Sequence, residues 1–538
     1  MPHGSIAVVL LALAALSVPA HACPTACAAE RLGPVVAQHQ RLPFVAPPPA
    51  AAAEPQRVSS PPSPIEIEHG PRYPARFRHA DRRLLMLEIN NVARLLRVTP
   101  RDSRDRPRVL RRLADDYAEL AASARSSSEA RIKKRASERA IALYQTLSRD
   151  HRRYCHSPAR KRAEDRGCND EVLHYLAAEL VQAGKKDEAF EAHQAIVRSF
   201  PRSPFAAHAL LAIGERHFEQ SRWQSARRAY RAALARTPDS ELGAYAHYKL
   251  GHVVWSSGDP KTALLHFVSA LELSSRTSTS AELVRFNEAA RRDLVFAYAQ
   301  AGTPEGAFAA FSKVIPEKAL PMMEQLARRF VDSAKHSAAI VVYRELLDRK
   351  PRCSHRVAIA RAVAAEDPND KQAIRAALDE LRSADDERCR DATAQLLFET
   401  AALWHAEALG SGKATGTGDR ATVELVNELY GWLSDFSDAS GLPTAAVLRY
   451  RHADVLHALE RWSDCGRVFF DAFAQDPKGD LARDALSASA GCWVRARNAN
   501  PALAARTFER ARCLLDAPTN DRAAAELHAA ITRAHACP

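Results

Sequence analysis

What most constrains this chain is a recurring triplet of slots: a small residue, a bulky residue four places on, and an apolar residue three places after that. In RWQSARRAYRAALARTPDS, residues 222–240, the slots are Ala226, Tyr230 and Ala233, and Pro238 closes the stretch. The same slots hold Ala140, Tyr144 and Leu147; Ala189, His193 and Ile196; Ala263, Phe267 and Ala270; Ala307, Phe311 and Val314; Ala339, Tyr343 and Leu346; and Cys465, Phe469 and Ala472. The small residues at 189, 226 and 263 are 37 apart and those at 307 and 339 are 32 apart, within the range of a helix-turn-helix repeat.

A second helix precedes each of these. Twelve and thirteen residues before the small slot stand Ile213 and Gly214, Leu250 and Gly251, Leu176 and Ala177, Leu326 and Ala327, and His452 and Ala453. A small residue there lets the partner helix come close, so the unit is an antiparallel helix pair. Glycine is scarce, at 20 of 538 residues, and no β-branched alternating run appears, which predicts an all-α chain with no sheet. Between residues 352 and 440 the slots fade, and helix is assigned there on period alone: Leu396 with Leu403, then Val423, Leu425, Leu429, Leu433 and Phe436.

These slots resemble the tetratricopeptide repeat. The resemblance implies an α-solenoid of antiparallel helix pairs, wound as a right-handed superhelix whose inner surface, made mostly by first helices, binds peptides or other domains. It divides the chain into repeats over 81–351, degenerate helical repeats over 352–440 and further repeats over 441–538. By that analogy the inward slots hold His208, Glu215, Phe218, Tyr245, Tyr248, His252 and Trp255, candidate anchors for a partner.

The chain's start reads differently. SIAVVLLALAALSVP, residues 5–19, is an apolar run too short to span a bilayer, followed by Ala20, His21 and Ala22 in the small-x-small form of a cleavage site. Residues 1–22 therefore read as a signal peptide for export, with an uncleaved N-terminal anchor as the alternative. Cys23 directly after it is a candidate for lipidation, hence for a membrane tether, although Ala20 and His21 depart from a bacterial lipobox; pairing with Cys27 is the plainer reading. Residues 23–80 read as a Pro/Ala-rich linker, with twelve prolines from Pro24 to Ala80.

With an export signal, ten cysteines read as a disulfide framework. Cys155 and Cys168 bracket a polar loop, Cys465 and Cys492 sit on helices expected side by side, Cys513 and Cys537 lie on the last two expected helices, and Cys353 with Cys389 is a further candidate pair. A zinc cluster of Cys155, His156, Cys168 and His174 lacks any CxxC spacing, so no metal and no cofactor are assigned. The net charge of +12 is small beside 76 basic and 64 acidic residues, and no nucleic-acid motif appears. GSGKATGTGD, residues 410–419, fails as a phosphate loop: Glu407 stands where glycine is required and Ala414 where a hydroxyl is required. HExxH and GxSxG are absent, and no catalytic set is assigned.

RPRVLRRLADDYAELA (106–121), ALYQTLSRDH (142–151), RRDLVFAYAQAGTPEGAFAAFSKV (291–314) and ALWHAEALGSGK (402–413) resemble the large exported tetratricopeptide proteins of myxobacteria. That group includes outer-membrane lipoproteins implicated in gliding motility. The resemblance implies a non-enzymatic scaffold of a bacterial envelope, in the periplasm or on the periplasmic face of the outer membrane, binding other envelope proteins. The rival reading is an enzyme or enzyme subunit with its site in residues 352–440.

Overall fold

The structure, a computed structural model, describes residues 82–124, 129–155, 168–275, 281–384, 387–411, 414–436, 439–496, 502–507 and 509. The expected signal peptide and linker, with Cys23 and Cys27, lie outside these residues, as do Cys513 and Cys537. The chain divides between Leu346 and Leu347 into two units.

The first unit carries α1 (Arg82–Val98), α2 (Arg106–Ser123), α3 (Ala130–Asp150), α4 (Asn169–Gln182), α5 (Lys186–Ser199), α6 (Ala206–Glu219), α7 (Trp223–Leu234), α8 (Glu241–Ser256), α9 (Pro260–Ser275), α10 (Ala281–Ala301), α11 (Ala307–Val314), α12 (Ala319–Asp332) and most of α13 (His336–Arg349). The second carries α14 (Cys353–Glu366), α15 (Lys371–Arg382), α16 (Arg390–Leu409), α17 (Arg420–Leu433), α18 (Ala445–Ala458), α19 (Trp462–Gln475) and α20 (Ala482–Arg495). Short connections force chain neighbours into antiparallel pairs: α2 packs on α3, α4 on α5, α6 on α7, α8 on α9, and α18 on α19. Each unit is an all-α stack of such pairs.

The repeated slots are where the pairs close. Ala226, Tyr230, Ala233, Ala263, Phe267 and Ala270 are fully buried, and so are Ala140, Tyr144 and Leu147 in the earlier pair and Cys465 with Phe469 in the later one. The small residue of the first helix faces the ring of the second. A Cβ on Gly214 would stand 2.5 Å from the Tyr230 ring, and one on Gly251 would stand 2.7 Å from that of Phe267. Close approach, rather than helix propensity, explains glycine at these two positions.

The turn inside five of the pairs repeats as well. Gly184, Ser221, Gly258, Ala334 and Glu460 all have positive φ, and each lies five residues before its small slot. At each, two backbone bonds close the helix end: Ser221 N–H donates to the Phe218 carbonyl (2.9 Å) and Arg222 N–H to that of His217 (2.8 Å), with the same pair of bonds around Gly184, Gly258, Ala334 and Glu460. This is the helix C-terminal motif that favours glycine. Three of the five positions carry side chains in a left-handed conformation that costs them roughly 1 kcal/mol each. Ser221→Gly, Ala334→Gly and Glu460→Gly should therefore each raise stability by about 0.5 kcal/mol, the strain relieved exceeding the entropy glycine adds to the unfolded chain. Chemical unfolding of the single variants checks this, and loss of stability in all three would contradict the turn assignment.

Side-chain caps mark several helix starts: Ser240 accepts from Gly243 N–H, Asp370 from Ala373 N–H, Asp419 from Ala421 and Thr422, and Thr444 from Val447. The stretch 352–440, expected as helix on period alone, forms α14 to α17. Two details depart from expectation. Leu403 is 53% exposed, because α16 turns Leu397, Ala401 and Trp404 inward instead. The absence of a sheet needs correction too: Gly410–Ser411 and Ala414–Thr415 pair as a two-residue antiparallel hairpin between α16 and α17. Gly410, at φ 90°, permits it, since a Cβ there would lie 2.1 Å from the Ala414 carbonyl oxygen.

Two disulfides form among the described residues, Cys155–Cys168 and Cys465–Cys492. The second joins the last helix of one pair to the first helix of the next, as expected. The Cys353–Cys389 pairing is a correction: the two are not bonded to each other. Cys353 opens α14 half-buried, while Cys389 is buried just before α16. The helix Lys371–Arg382 stands between them in the chain.

Candidate partner-binding surface

Of the seven residues placed on the inner face by analogy, the structure leaves three reachable. His208, Glu215 and Phe218 on α6 are partly exposed. Tyr245, Tyr248, His252 and Trp255 on α8 are 2%, 0%, 1% and 6% exposed, which corrects their assignment as surface anchors. The reason is that α8 packs on α7 and α9 and meets Phe286, Asp293 and Phe296 of α10. Tyr248 meets the rings of Phe267 (5.9 Å between centroids) and Phe286 (5.3 Å), and Trp255 meets those of Phe267 (6.0 Å) and Phe296 (5.6 Å). The aromatic weight of α8 is spent on holding successive pairs together.

Partly or fully buried carboxylates hold the helices together. Glu215 accepts from the Tyr230 hydroxyl (2.8 Å) and the Tyr245 hydroxyl (3.1 Å), and is 2.5 Å from the Lys249 ammonium. Lys249 is only 1% exposed and its ammonium also lies over the Phe218 ring at 4.7 Å. One junction further on, the fully buried Asp293 of α10 accepts from the Tyr248 hydroxyl (2.8 Å), lies 3.1 Å from His252 Nε2, and takes a bond from Arg292 (3.0 Å). Within the α2–α3 pair, Asp115 accepts from Arg111 (2.8 Å) and from the Tyr144 hydroxyl (2.5 Å). None of these acids was singled out by sequence for this role. An Asp or Glu on the first helix within reach of a buried tyrosine hydroxyl is the signal that finds them. Burial pushes the Tyr230 hydroxyl well above its ordinary range, so it stays a donor to Glu215.

His208 belongs to a small imidazole cluster. His174 stacks on Phe205 at 4.4 Å and lies 5.7 Å from His208. Burial pulls His174 down to about 3 and His193 to about 4, and also lowers His208, so all three are neutral at pH 7. No group of three His, Cys, Asp or Glu side chains is arranged for a metal among the described residues. The sulfurs of Cys155 and Cys168, considered as zinc ligands with His156 and His174, are committed to their disulfide.

What remains open in this part of the unit is the corner where α6 turns into α7. Phe218 and Trp223, both half-buried, pack edge to face at 5.1 Å across the turn at Ser221, and His217 meets Phe190 of the preceding pair at 5.4 Å. The equivalent corner of the second unit holds His457 and Trp462 at 5.2 Å. These rings clasp the turn and still present an edge to solvent.

In the second unit His405 and Tyr430, from the stretch 352–440 proposed for a rival catalytic site, converge with Asp454 of α18 beyond it. His405 of α16 lies 3.3 Å from Asp454 and 3.3 Å from the Tyr430 hydroxyl, and Tyr430 and His452 line a cavity of about 20 Å³. That volume holds one water molecule. Burial pushes the Tyr430 hydroxyl up to about 12, which leaves it a hydrogen-bond donor at neutral pH and not a base.

Residues 176–241 and 211–281 match the family model described as tetratricopeptide repeat, over α4 to α9 where the slots at 189, 226 and 263 recur. Residues 176–281 carry tetratricopeptide repeats. No curated protein matches it in sequence. Among solved structures, a tetratricopeptide repeat protein from Parabacteroides merdae is 16% identical, covering 53% of this chain and 98% of that one, at a TM-score of 0.28. The APC/C hetero-tetramer Cut9-Hcn1 is 12% identical, covering 85% and 97%, at a TM-score of 0.20. The tetratricopeptide assignment stands on the family match and on the packing of the slots.

Proposed function

We propose that the protein is an exported, non-enzymatic scaffold of a bacterial cell envelope that binds other envelope proteins through the exposed edges of its tetratricopeptide pairs. The observation that carries this reading is the allocation of side chains around α6 to α8: the ionisable groups inside the seams bind one another, while Phe218 and Trp223 keep a reachable edge at the α6–α7 corner. The rival catalytic reading rests on His405, Asp454 and Tyr430, of which only Tyr430 lines the cavity of about 20 Å³, room for one water. Export is supported by the apolar run 5–19 and by two disulfides, which persist outside a reducing cytosol. The envelope location follows the sequence resemblance.

A photo-crosslinking amino acid placed at Phe218 or Trp223 in the producing cells tests the binding reading, with the exposed Arg228 of α7 as the comparison position. Discrete adducts from the corner positions, absent from position 228, are expected. No adduct at either corner, or the same adducts from position 228, would set the reading aside. Export is tested separately: mass mapping of the envelope fraction should find an N-terminus near Cys23, and an intact Met1 would argue for an uncleaved anchor.

A further inference from the structure

Helix α1 has two apolar sides, and only one is used. Leu85 and Ile89 are 2% and 3% exposed and, with the partly buried Val92 and Leu96, form a core shared with α2 and α3. On the other side Leu84, Leu87, Leu95 and Val98 are 64%, 61%, 51% and 76% exposed. At about 100° per residue these four fall in one stripe roughly 80° wide along the whole helix. Such a run of exposed leucines on a single helix is a binding surface or a liability.

The charges beside the stripe select the occupant. Arg83, Arg94 and Arg97, all exposed, lie along one flank with Asn90 between them, while the exposed Asn91 is the one polar residue inside the stripe. The acid of the helix, Glu88, lies on the opposite edge and is paired with Arg112 of α2. A second copy packed antiparallel on the stripe would set arginine row against arginine row, which disfavours self-association. A fluid anionic surface suits this face, because acyl chains accept the leucines while headgroup phosphates pair with the guanidiniums. No helix among the described residues is long and apolar enough to cross a membrane.

We propose that the outer face of α1 docks on an anionic phospholipid surface, with Leu84, Leu87, Leu95 and Val98 in the headgroup boundary and Arg94 and Arg97 on lipid phosphates. This contact is independent of protein binding at the α6–α7 corner and of any attachment through residues 1–22.

Co-sedimentation of the full chain with vesicles of phosphatidylcholine alone, and of phosphatidylcholine with phosphatidylglycerol in equal parts, tests it. Neutral vesicles report whatever the apolar run 5–19 contributes; the anionic excess belongs to the proposal. Binding should be at least tenfold tighter to the anionic vesicles, and weaker as salt is raised. In Arg94→Gln/Arg97→Gln and in Leu87→Ser/Leu95→Ser the excess should fall to about threefold or less, with melting temperatures unchanged because all four positions are exposed. Equal binding to both vesicles, or an excess that neither variant reduces, overturns the proposal. A concentration-dependent dimer lost in Leu87→Ser/Leu95→Ser, with no anionic excess, would make the face a self-interface and overturns it as well.

Discussion

Glu215→Ala should lower the unfolding free energy of the first unit by about 3 kcal/mol, more than most single substitutions do. The carboxylate is held by three donors at the α6–α7–α8 seam, and its removal leaves Lys249, 1% exposed, with an ammonium buried and unpaired. The Tyr230 and Tyr245 hydroxyls lose their acceptor at the same time. Glu215 itself keeps 23% of its side-chain surface in contact with water, so some of the loss is recovered by solvent entering the gap. The double variant Glu215→Leu/Lys249→Met should recover most of the stability, because a matched apolar pair removes the stranded charge. Urea unfolding of the two variants beside the wild type is the measurement. A change under about 0.5 kcal/mol in Glu215→Ala would mean that Lys249 reaches water and that the seam is more open than described.

Removing the bond between α19 and α20 should cost a similar amount. Cys465 and Cys492 are 27 residues apart, and closing a loop of that length restricts the unfolded chain by about 3 to 4 kcal/mol. Both residues are fully buried in a cluster with Phe469, Leu486 and Trp493, so Cys465→Ser/Cys492→Ser also puts two hydroxyls where thiols had packed. Cys465→Ala/Cys492→Ala separates the two contributions, since alanine removes the bond without adding a polar group. The oxidised wild type should resist alkylation at both positions and unfold at clearly higher denaturant than either variant. Ready alkylation of both cysteines in unreduced protein would remove the bond from the account.

Much of this fold can be read from residue types at fixed spacing. The Ala226, Tyr230 and Ala233 slots and their repeats mark the second helices, and Gly214 and Gly251 mark where the first helices come closest. The turn position five residues before five of the seven small slots escapes notice because its occupant varies among Gly, Ser, Ala and Glu: backbone conformation is fixed there and residue type is not. The candidate surface is less legible. Tyr245, Tyr248, His252 and Trp255 sit on the expected helix, yet periodicity does not tell a face turned to solvent from one covered by the next pair. The same ambiguity put Leu403 inside where Trp404 belongs. Cys155 with Cys168 and Cys465 with Cys492 were legible because each pair flanks a single connection, whereas Cys353 and Cys389 are separated by the whole of α15.

The register of the helix pairs underlies everything else, and a double-mutant cycle on Gly214 and Tyr230 tests it most directly. Gly214→Ala drives a methyl to 2.5 Å from the Tyr230 ring and should cost about 1 to 3 kcal/mol. Tyr230→Leu, which narrows the ring to an aliphatic, should relieve that clash, so the double variant is predicted to be at least 1 kcal/mol more stable than the sum of the single effects. Effects that add to within about 0.5 kcal/mol would place the two residues apart and contradict the paired-helix packing.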